Sequence, residues 1–429
     1  MLSLVRIPSL IVLGLGATLV ASEASSAERW TLDDVVSDVL AEHPVIVASR
    51  ERLAAAEGTY ADAGRWLNPR LFFSGENLRF GADDFDPWTQ SDWFLFVTQT
   101  IETADKRGHR KRAAEVGVEL AVLRQLILER ELAYRVKIAF QNVLTAQEKF
   151  SLARDSWGRL DELVELNRIR AVEGYTSEGD YIKSHLEAQR FEYALRKSEL
   201  ALQQTKIRLL QALGYTEFAT DFELVPPEPL SPILEALDEA ALRETAAHRP
   251  EIRAAEAIVA QADALAQLEG ARAHPDVAAS VGYKRNGPAN TLYLGMSVPL
   301  PILNKNQGGI LRGRAELRAA QAELILQRSR VLGELEAALA GVRMTRRQIE
   351  SLRTGFIERA DESRAVALAA YSEGAADLLI VLEAERTRNG AQELVVEAMN
   401  DHRLALHELE RAVGVIRLPN SGDVVGAAP

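Results

Sequence analysis

The sequence predicts a mainly α-helical protein with a small β part. Two tandem copies of one unit make it up, each with helices, a β-hairpin and a long helical hairpin. Three observations point there. Residues 88–225 and 309–418 contain no proline. Within both stretches, apolar residues recur at alternating spacings of three and four. Short β-prone segments, with two-residue alternation in the second half, interrupt the helical pattern once in each half.

Residues 309–418 organise the chain. Their first arm, residues 310–371, places Leu335, Val342, Ile349 and Phe356 seven apart, with Leu339 and Leu352 between them. After a break at Tyr371-Ser372-Glu373-Gly374, a second arm (377–413) carries Val395, Met399, His402, Leu406, Leu409 and Val413 in steps of 4, 3, 4, 3 and 4. Sustained 3–4 alternation is the pattern of helices packed at coiled-coil angles. An arm of about 60 residues is ~90 Å long, more than a compact domain needs.

The first half repeats the design. Leu132, Val136, Ala139, Val143, Ala146 and Phe150 step 4, 3, 4, 3 and 4, and Leu195, Ser198, Leu202, Thr205, Leu209 and Ala212 follow beyond Glu173-Gly174. Glu173-Gly174 precedes Glu373-Gly374 by 200 residues, and Leu186-Glu187-Ala188-Gln189-Arg190 precedes Leu382-Glu383-Ala384-Glu385-Arg386 by 196. The difference is about one helical turn. Leu213-Gly214 closes the first unit as Val413-Gly414 closes the second. Duplication over roughly 200 residues is the strongest signal in the chain.

The opening helices match as well. Residues 30–66 read as helix, with Thr31 as cap before Asp33 and Asp34 and an interruption at Pro44. Residues 237–273 repeat this with Pro250, and Pro69 and Pro275 end the two segments; each proline pair is 206 apart. The period then changes. Val277, Ala279, Val281 and Tyr283 alternate with Ala278, Ser280, Gly282 and Lys284, and after a turn at Asn286-Gly287-Pro288, Leu292, Leu294, Met296, Val298 and Leu300 alternate with Tyr293, Gly295, Ser297 and Pro299. In the first half, residues 71–78 and the aromatic run 93–98 flank a loop rich in Asp and Gly. Strands of about 10 residues suffice to cross a tilted bilayer path. Four strands alone leave open edges, which lipid does not tolerate; three chains would supply twelve strands and close a barrel. A small soluble sheet capping a helical body is the competing reading, and the bulky row from Leu292 to Leu300 favours lipid.

Composition narrows the function. Of 429 residues, 6% are aromatic and none is cysteine. Without cysteine there are no disulfides, thiolate metal sites, thiol nucleophiles or acylated N-terminal cysteine. A net charge of −12 argues against nucleic acid as partner. Arg6, the apolar run 7–20 and Ser25-Ser26-Ala27 make residues 1–27 a signal peptide, with Glu28 as mature start. The run is short for a permanent membrane helix. The organisation is therefore a signal peptide (1–27), first repeat (28–214), proline-rich connection (215–236) with Pro226, Pro227, Pro229 and Pro232, second repeat (237–414) and short tail (415–429).

A secretion signal, duplicated helix–hairpin–long-helix units and no cysteine together resemble the TolC family of outer-membrane efflux proteins, over residues 30–414. Asn68-Pro69 with Gly75-Glu76-Asn77, Gln99-Thr100-Ile101-Glu102 with Lys106-Arg107-Gly108, and Pro299-Leu300-Pro301 with Asn304 and Gly308-Gly309 are similar to the strand boundaries of its heavy-metal (cobalt-zinc-cadmium type) branch. The resemblance implies a homotrimer in the outer membrane of a Gram-negative cell. Its twelve strands would form a transmembrane β-barrel in outer-membrane lipid, and its twelve helices an α-barrel across the periplasm. A periplasmic membrane-fusion adaptor and an inner-membrane pump, of the RND type, would dock at the closed lower end. The chain would catalyse nothing and hold no cofactor.

The same resemblance marks sites. Gly174 and Gly374 let helices stop and reverse; with Ser177 and Asp377 they match the tips that meet the adaptor. Positions beyond the tips match the acidic constriction of the pore, which assigns Asp180 and Glu383; Ile380 and Lys183 depart from the acidic pattern. Carboxylates ringed around an axis attract cations and repel one another, so such a gate responds to divalent ions and pH. The seven histidines show no i, i+4 pair and no HExxH, so no metal site is expected, and His402 reads as packed. No phosphate loop, hydrolase elbow or paired-carboxylate motif stands out, so an enzyme is not expected. The alternatives are an efflux channel for drugs or organic solutes with the same architecture, and a periplasmic coiled-coil adaptor or scaffold.

Overall fold

Prolines and caps set where the helices begin. The structure is a computed structural model that describes residues 28–79, 83–226, 239–353 and 355–416. The expected signal peptide, much of the proline-rich connection and most of the tail lie outside the described residues. Strand β1 (Glu28–Trp30) leads into α1 (Leu32–Glu42), whose cap is Thr31; its hydroxyl accepts the Asp34 amide at 3.3 Å. Helix α2 (Pro44–Ala63) begins on Pro44, where a missing N–H costs nothing. Then come β2 (Arg70–Glu76), the single turn α3 (Pro87–Gln90) and β3 (Asp92–Ile101). The long pair α4 (Lys106–Val172) and α5 (Glu178–Ala212) follows, with β4 (Phe222–Leu224) after it. The second half runs α6 (Glu239–Ala247), α7 (Pro250–Ala271), β5 (Val277–Asn286), β6 (Ala289–Ser297), α8 (Gln307–Arg353), α9 (Phe356–Ser372) and α10 (Leu378–Val413).

The two long arms differ. Helix α4 has 67 residues without a break, a rod of ~100 Å. Its counterpart was expected as one helix over 310–371 but is two, because Gly355 takes φ +76°. A left-handed residue cannot continue a right-handed helix. The heptad stripe ends there too: Leu335, Leu339 and Val342 are buried, whereas Phe356 is 40% exposed.

The expected stripes become two cores at mid-height. Val136, Phe140, Val143 and Leu209 pack with Val35, Val36 and Ile46. Val331, Leu335 and Leu339 pack with Leu406, Leu409 and Val413. Met399, expected on the same stripe, is exposed in the single chain.

Two local readings are corrected. Trp30 is not the start of a helix; it belongs to β1, which pairs in parallel with β4. The connection after Gly214 does not merely run over the outside. Trp30 stacks on Phe222 at 4.3 Å, and Phe222 and Leu224 are buried against α1 and α4. The sequence signal was weak because both strands are three residues long.

The two hairpins merge into one antiparallel sheet in the order β2-β3-β5-β6. The β3–β5 pairing joins the halves along their whole length, from Asp92↔Asn286 to Ile101↔Val277. Phe72, Phe96, Gly282 and Tyr293 share one row across the sheet. Phe72 stacks on Phe96 at 4.5 Å, and Tyr293 packs against it at a tilt, at 4.9 Å. A side chain at Gly282 would overlap Phe96 and the Leu95 carbonyl, so glycine makes room for the aromatic row. Gly282→Val is therefore expected to destabilise the sheet by about 1–3 kcal/mol. A lower urea midpoint, followed by tryptophan emission, checks this.

Candidate functional site

The sheet has two unlike faces, and its register dictates them. One face carries the rows Leu71-Val97-Val281-Leu294 and Phe73-Leu95-Tyr283-Leu292, with Met296 beyond. All nine side chains are exposed. The opposite face carries Arg70, Thr98 and Ser280, with the two hydroxyls 2.7 Å apart, and Lys284 lies 4.7 Å over the Phe94 ring. A ten-residue strand spans ~33 Å, or roughly 25 Å when tilted, the height of a lipid-facing band. Among the described residues no helix is long and apolar enough to cross a membrane. The edge strands β2 and β6 pair on one side only.

Polar groups weld the sheet to the helices. Lys106, nearly buried at the start of α4, donates to the His274 carbonyl and to Asp276, both at 2.6 Å. Thr103 donates its amide to Asp276 at 2.9 Å and its hydroxyl to the Pro275 carbonyl at 2.7 Å. Arg110 binds Glu102 through two nitrogens, at 2.6 and 3.0 Å. On the other side, Asn306 (φ +58°) donates to the Glu269 backbone at 2.9 Å and carboxylate at 2.6 Å. The Asn306 amide, aided by Arg272 and Arg312, holds the Glu269 carboxyl below its ordinary range. Side chains at Gly108 or Gly309 would overlap Asp105 or the Asn306–Glu269 pair. The boundary motifs quoted from the sequence thus turn strand into helix.

At the far end, the two helical hairpins turn alike. Gly174 (φ +80°) and Gly374 (φ +76°) sit just past the ends of α4 and α9. The Tyr175 amide donates to the Arg170 carbonyl, and the Ala375 amide to the Ala370 carbonyl, each at 2.8 Å. These bonds satisfy carbonyls left open by the helix end. Ser177 and Asp377 then cap α5 and α10, but differently. The Ser177 hydroxyl accepts the Asp180 amide at 3.1 Å and donates to the Asp180 carboxylate at 2.8 Å. Asp377 makes no side-chain cap bond.

The constriction candidates part company accordingly. Asp180 is engaged by the Ser177 cap and lies 3.6 Å from Lys183. Glu383 stands 68% exposed, with Arg386 at 3.7 Å. His402, expected to be packed, is part-buried 2.9 Å from the Thr345 hydroxyl; burial lowers its pKa.

A cluster that sequence reasoning missed links the hairpins above the tips. Leu160, Leu163, Tyr371, Leu378, Val381 and Leu382 form its apolar part. The buried Asn167 accepts a hydrogen bond from the Tyr371 hydroxyl at 2.6 Å. Glu187 on α5 is clamped by Arg386 of α10 at 2.8 and 2.5 Å and by Arg190 at 3.2 Å. Glu385 on α10 receives Arg364 of α9, with Arg159 of α4 at 3.7 Å. The repeated Leu-Glu-Ala-(Gln/Glu)-Arg motif was the available signal. It aligns Glu187 with Glu383, yet the first is buried and the second exposed.

Arg386→Leu is expected to cost about 2 kcal/mol, below the usual loss for a buried pair because the arginine is partly exposed and Arg190 remains. A double-mutant cycle with Glu187→Leu checks the coupling. Hydrogen bonding from Arg386 holds the Glu187 carboxyl below its ordinary 4.5. A depressed folded value means the stabilisation is full above 4.5 and is lost as pH falls through the folded value. Thermal midpoints of the wild type should drop in that acidic window, and those of Glu187→Gln should drop less.

The comparisons agree with this geometry. The sequence profile of the family described as "Outer membrane efflux protein" matches residues 35–215 and 241–415. The cobalt-zinc-cadmium resistance protein CzcC of Cupriavidus metallidurans is 26% identical over 321 residues, 73% of this chain and 75% of that protein. The nickel and cobalt resistance protein CnrC of the same organism is 28% identical over 305 residues, 70% of each. Among solved structures, the outer membrane protein VceC of Vibrio cholerae superposes with a TM-score of 0.75 at 18% identity, covering 90% of this chain and 96% of that one.

Proposed function

Because the chain belongs to the outer membrane efflux protein family, a family of channels rather than enzymes, we propose that it is the outer-membrane duct of a tripartite assembly exporting heavy-metal cations. The observation that carries the duct is the sheet, with one largely apolar face and two open edges, set on long helices of which α4 spans ~100 Å. Three copies close twelve strands into a barrel with the apolar face on lipid and the Arg70-Thr98-Ser280 face on the lumen. Relatives named for cobalt, zinc, cadmium and nickel resistance support metal cations as cargo. The mature chain begins at Glu28, after a signal peptide (1–27), and its two repeats (28–214 and 237–414) each supply one hairpin of strands and one of helices.

The lower end is the docking end. Gly174, Ser177, Gly374 and Asp377 meet a periplasmic adaptor, and an inner-membrane pump of the RND type supplies the energy. Asp180 and Glu383 narrow the pore there. Exposure of Glu383 supports a direct role in attracting cations; Asp180 also holds the first tip together.

In a strain lacking the gene, tolerance to zinc, cobalt, cadmium or nickel should fall, and the intact gene should restore it. Unchanged metal tolerance with lost tolerance to dyes or antibiotics would assign organic cargo instead. In planar bilayers, Glu383→Gln should reduce cation selectivity and divalent block. Asp180→Asn should chiefly lower the stability of the first tip, by about 1 kcal/mol, measured by thermal melting.

A further inference from the structure

The lower rim of the apolar face is built of exposed hydrophobic side chains followed by unpaired cations, once at each edge of the sheet. At the β2 edge, Gln99 on the apolar face of β3 donates to the Leu67 carbonyl at 2.9 Å, which places Trp66 and Leu67 on that rim. Both are exposed. Arg107 lies 4.4 Å over the Trp66 ring, and Lys111 is 5.6 Å from the Tyr60 ring. At the β6 edge, Leu300, Ile302 and Leu303 follow the end of the strand and are exposed, Leu303 to 94%. Lys305 and Arg314 follow, both exposed.

These cations stand out by place, beside the apolar rim, in a chain of net charge −12. Most arginines of the helical body pair with glutamates or aspartates. Among the described residues, Arg107, Lys111, Lys305 and Arg314 form no ion pair. Their position is also constrained. Helices α4 and α8 start at the rim, and helical side chains lean toward the N-terminus. Lys111 and Arg314 therefore reach back toward the sheet from about 8 and 10 Å below the helix starts. That brings their charges into a headgroup layer roughly 5–8 Å deep.

We propose that Arg107, Lys111, Lys305 and Arg314 form a collar that binds anionic phospholipid headgroups of the leaflet facing the helices. The inference rests on the outer-membrane reading above. The occupant follows from continuity with the lipid-facing sheet and from charge. Trp66 and Leu300–Leu303 enter the acyl boundary, and the cations just beyond them meet phosphate. The collar selects and retains anionic lipid around a protein whose periplasmic body would otherwise repel it.

The test uses the full mature chain reconstituted in phosphatidylethanolamine bilayers with spin-labelled phosphatidylglycerol or spin-labelled phosphatidylethanolamine. The wild type should associate with the anionic probe at least about five-fold more strongly, the factor expected for one cation near the surface. Arg107→Gln/Lys111→Gln/Lys305→Gln/Arg314→Gln should abolish the preference while still conducting ions. Inorganic phosphate at matched ionic strength should not displace the probe, because the tails hold the lipid at the rim; displacement would overturn the lipid assignment. Equal association of both probes with a conducting wild type, or a preference that survives in the variant, would overturn the collar alone. A wild type that neither inserts nor conducts would overturn the outer-membrane reading and the collar with it.

Discussion

One constraint governs this molecule. Its four-stranded sheet exposes nine large apolar side chains on a single face and leaves β2 and β6 with open edges. Water does not suit the face, and lipid does not suit the edges. Both demands are met together only by closing the sheet with further strands inside a bilayer. The chain supplies strands but not enough of them, so the proposed trimer is a response to unpaired backbone as much as to buried area. Helices α4 and α8 then have a fixed origin, since both begin at the rim of the sheet.

The joint between sheet and helices has to be stiff for that origin to mean anything. It is made of charges and bent backbone rather than of a hydrophobic core. Lys106 ties the start of α4 to the end of α7, and Asn306 ties the start of α8 to Glu269 of α7. A buried cation with two good acceptors, or a carboxylate with three donors, tolerates little movement, because each lost partner leaves a desolvated charge. Short motifs similar to those of one family branch are concentrated here, at turns where side-chain size and positive φ leave few choices.

The far end is softer. Each tip relies on a glycine turn, the first tip adds the Ser177 side-chain cap, and the Glu187–Arg386 clamp above the tips joins helices of different hairpins. Ion pairs of this kind hold two arrangements apart by modest energies and respond to pH and salt. An apolar cluster around Leu160, Tyr371 and Val381 backs these links. The asymmetry between Ser177, which caps with its side chain, and Asp377, which does not, leaves the second carboxylate out of the cap.

Much of this was legible in the residues. Proline and glycine positions, the 3–4 stripes and the two-residue alternation determined the helices, the strands, the duplication and the two glycine turns. These are local properties, set by backbone sterics and side-chain period. Other features belonged to tertiary structure alone. Whether β3 would pair with β5, and whether Glu187 or its repeat-mate Glu383 would be buried, depended on neighbours remote in sequence. So did the burial of Phe222 beside Trp30, which no pattern within three-residue strands could announce. A repeat specifies equivalent helices, but it does not specify equivalent surroundings. Here each half keeps a core of its own, while the β3–β5 pairing and the cluster around Tyr371 join the halves, and those contacts gave similar motifs different work.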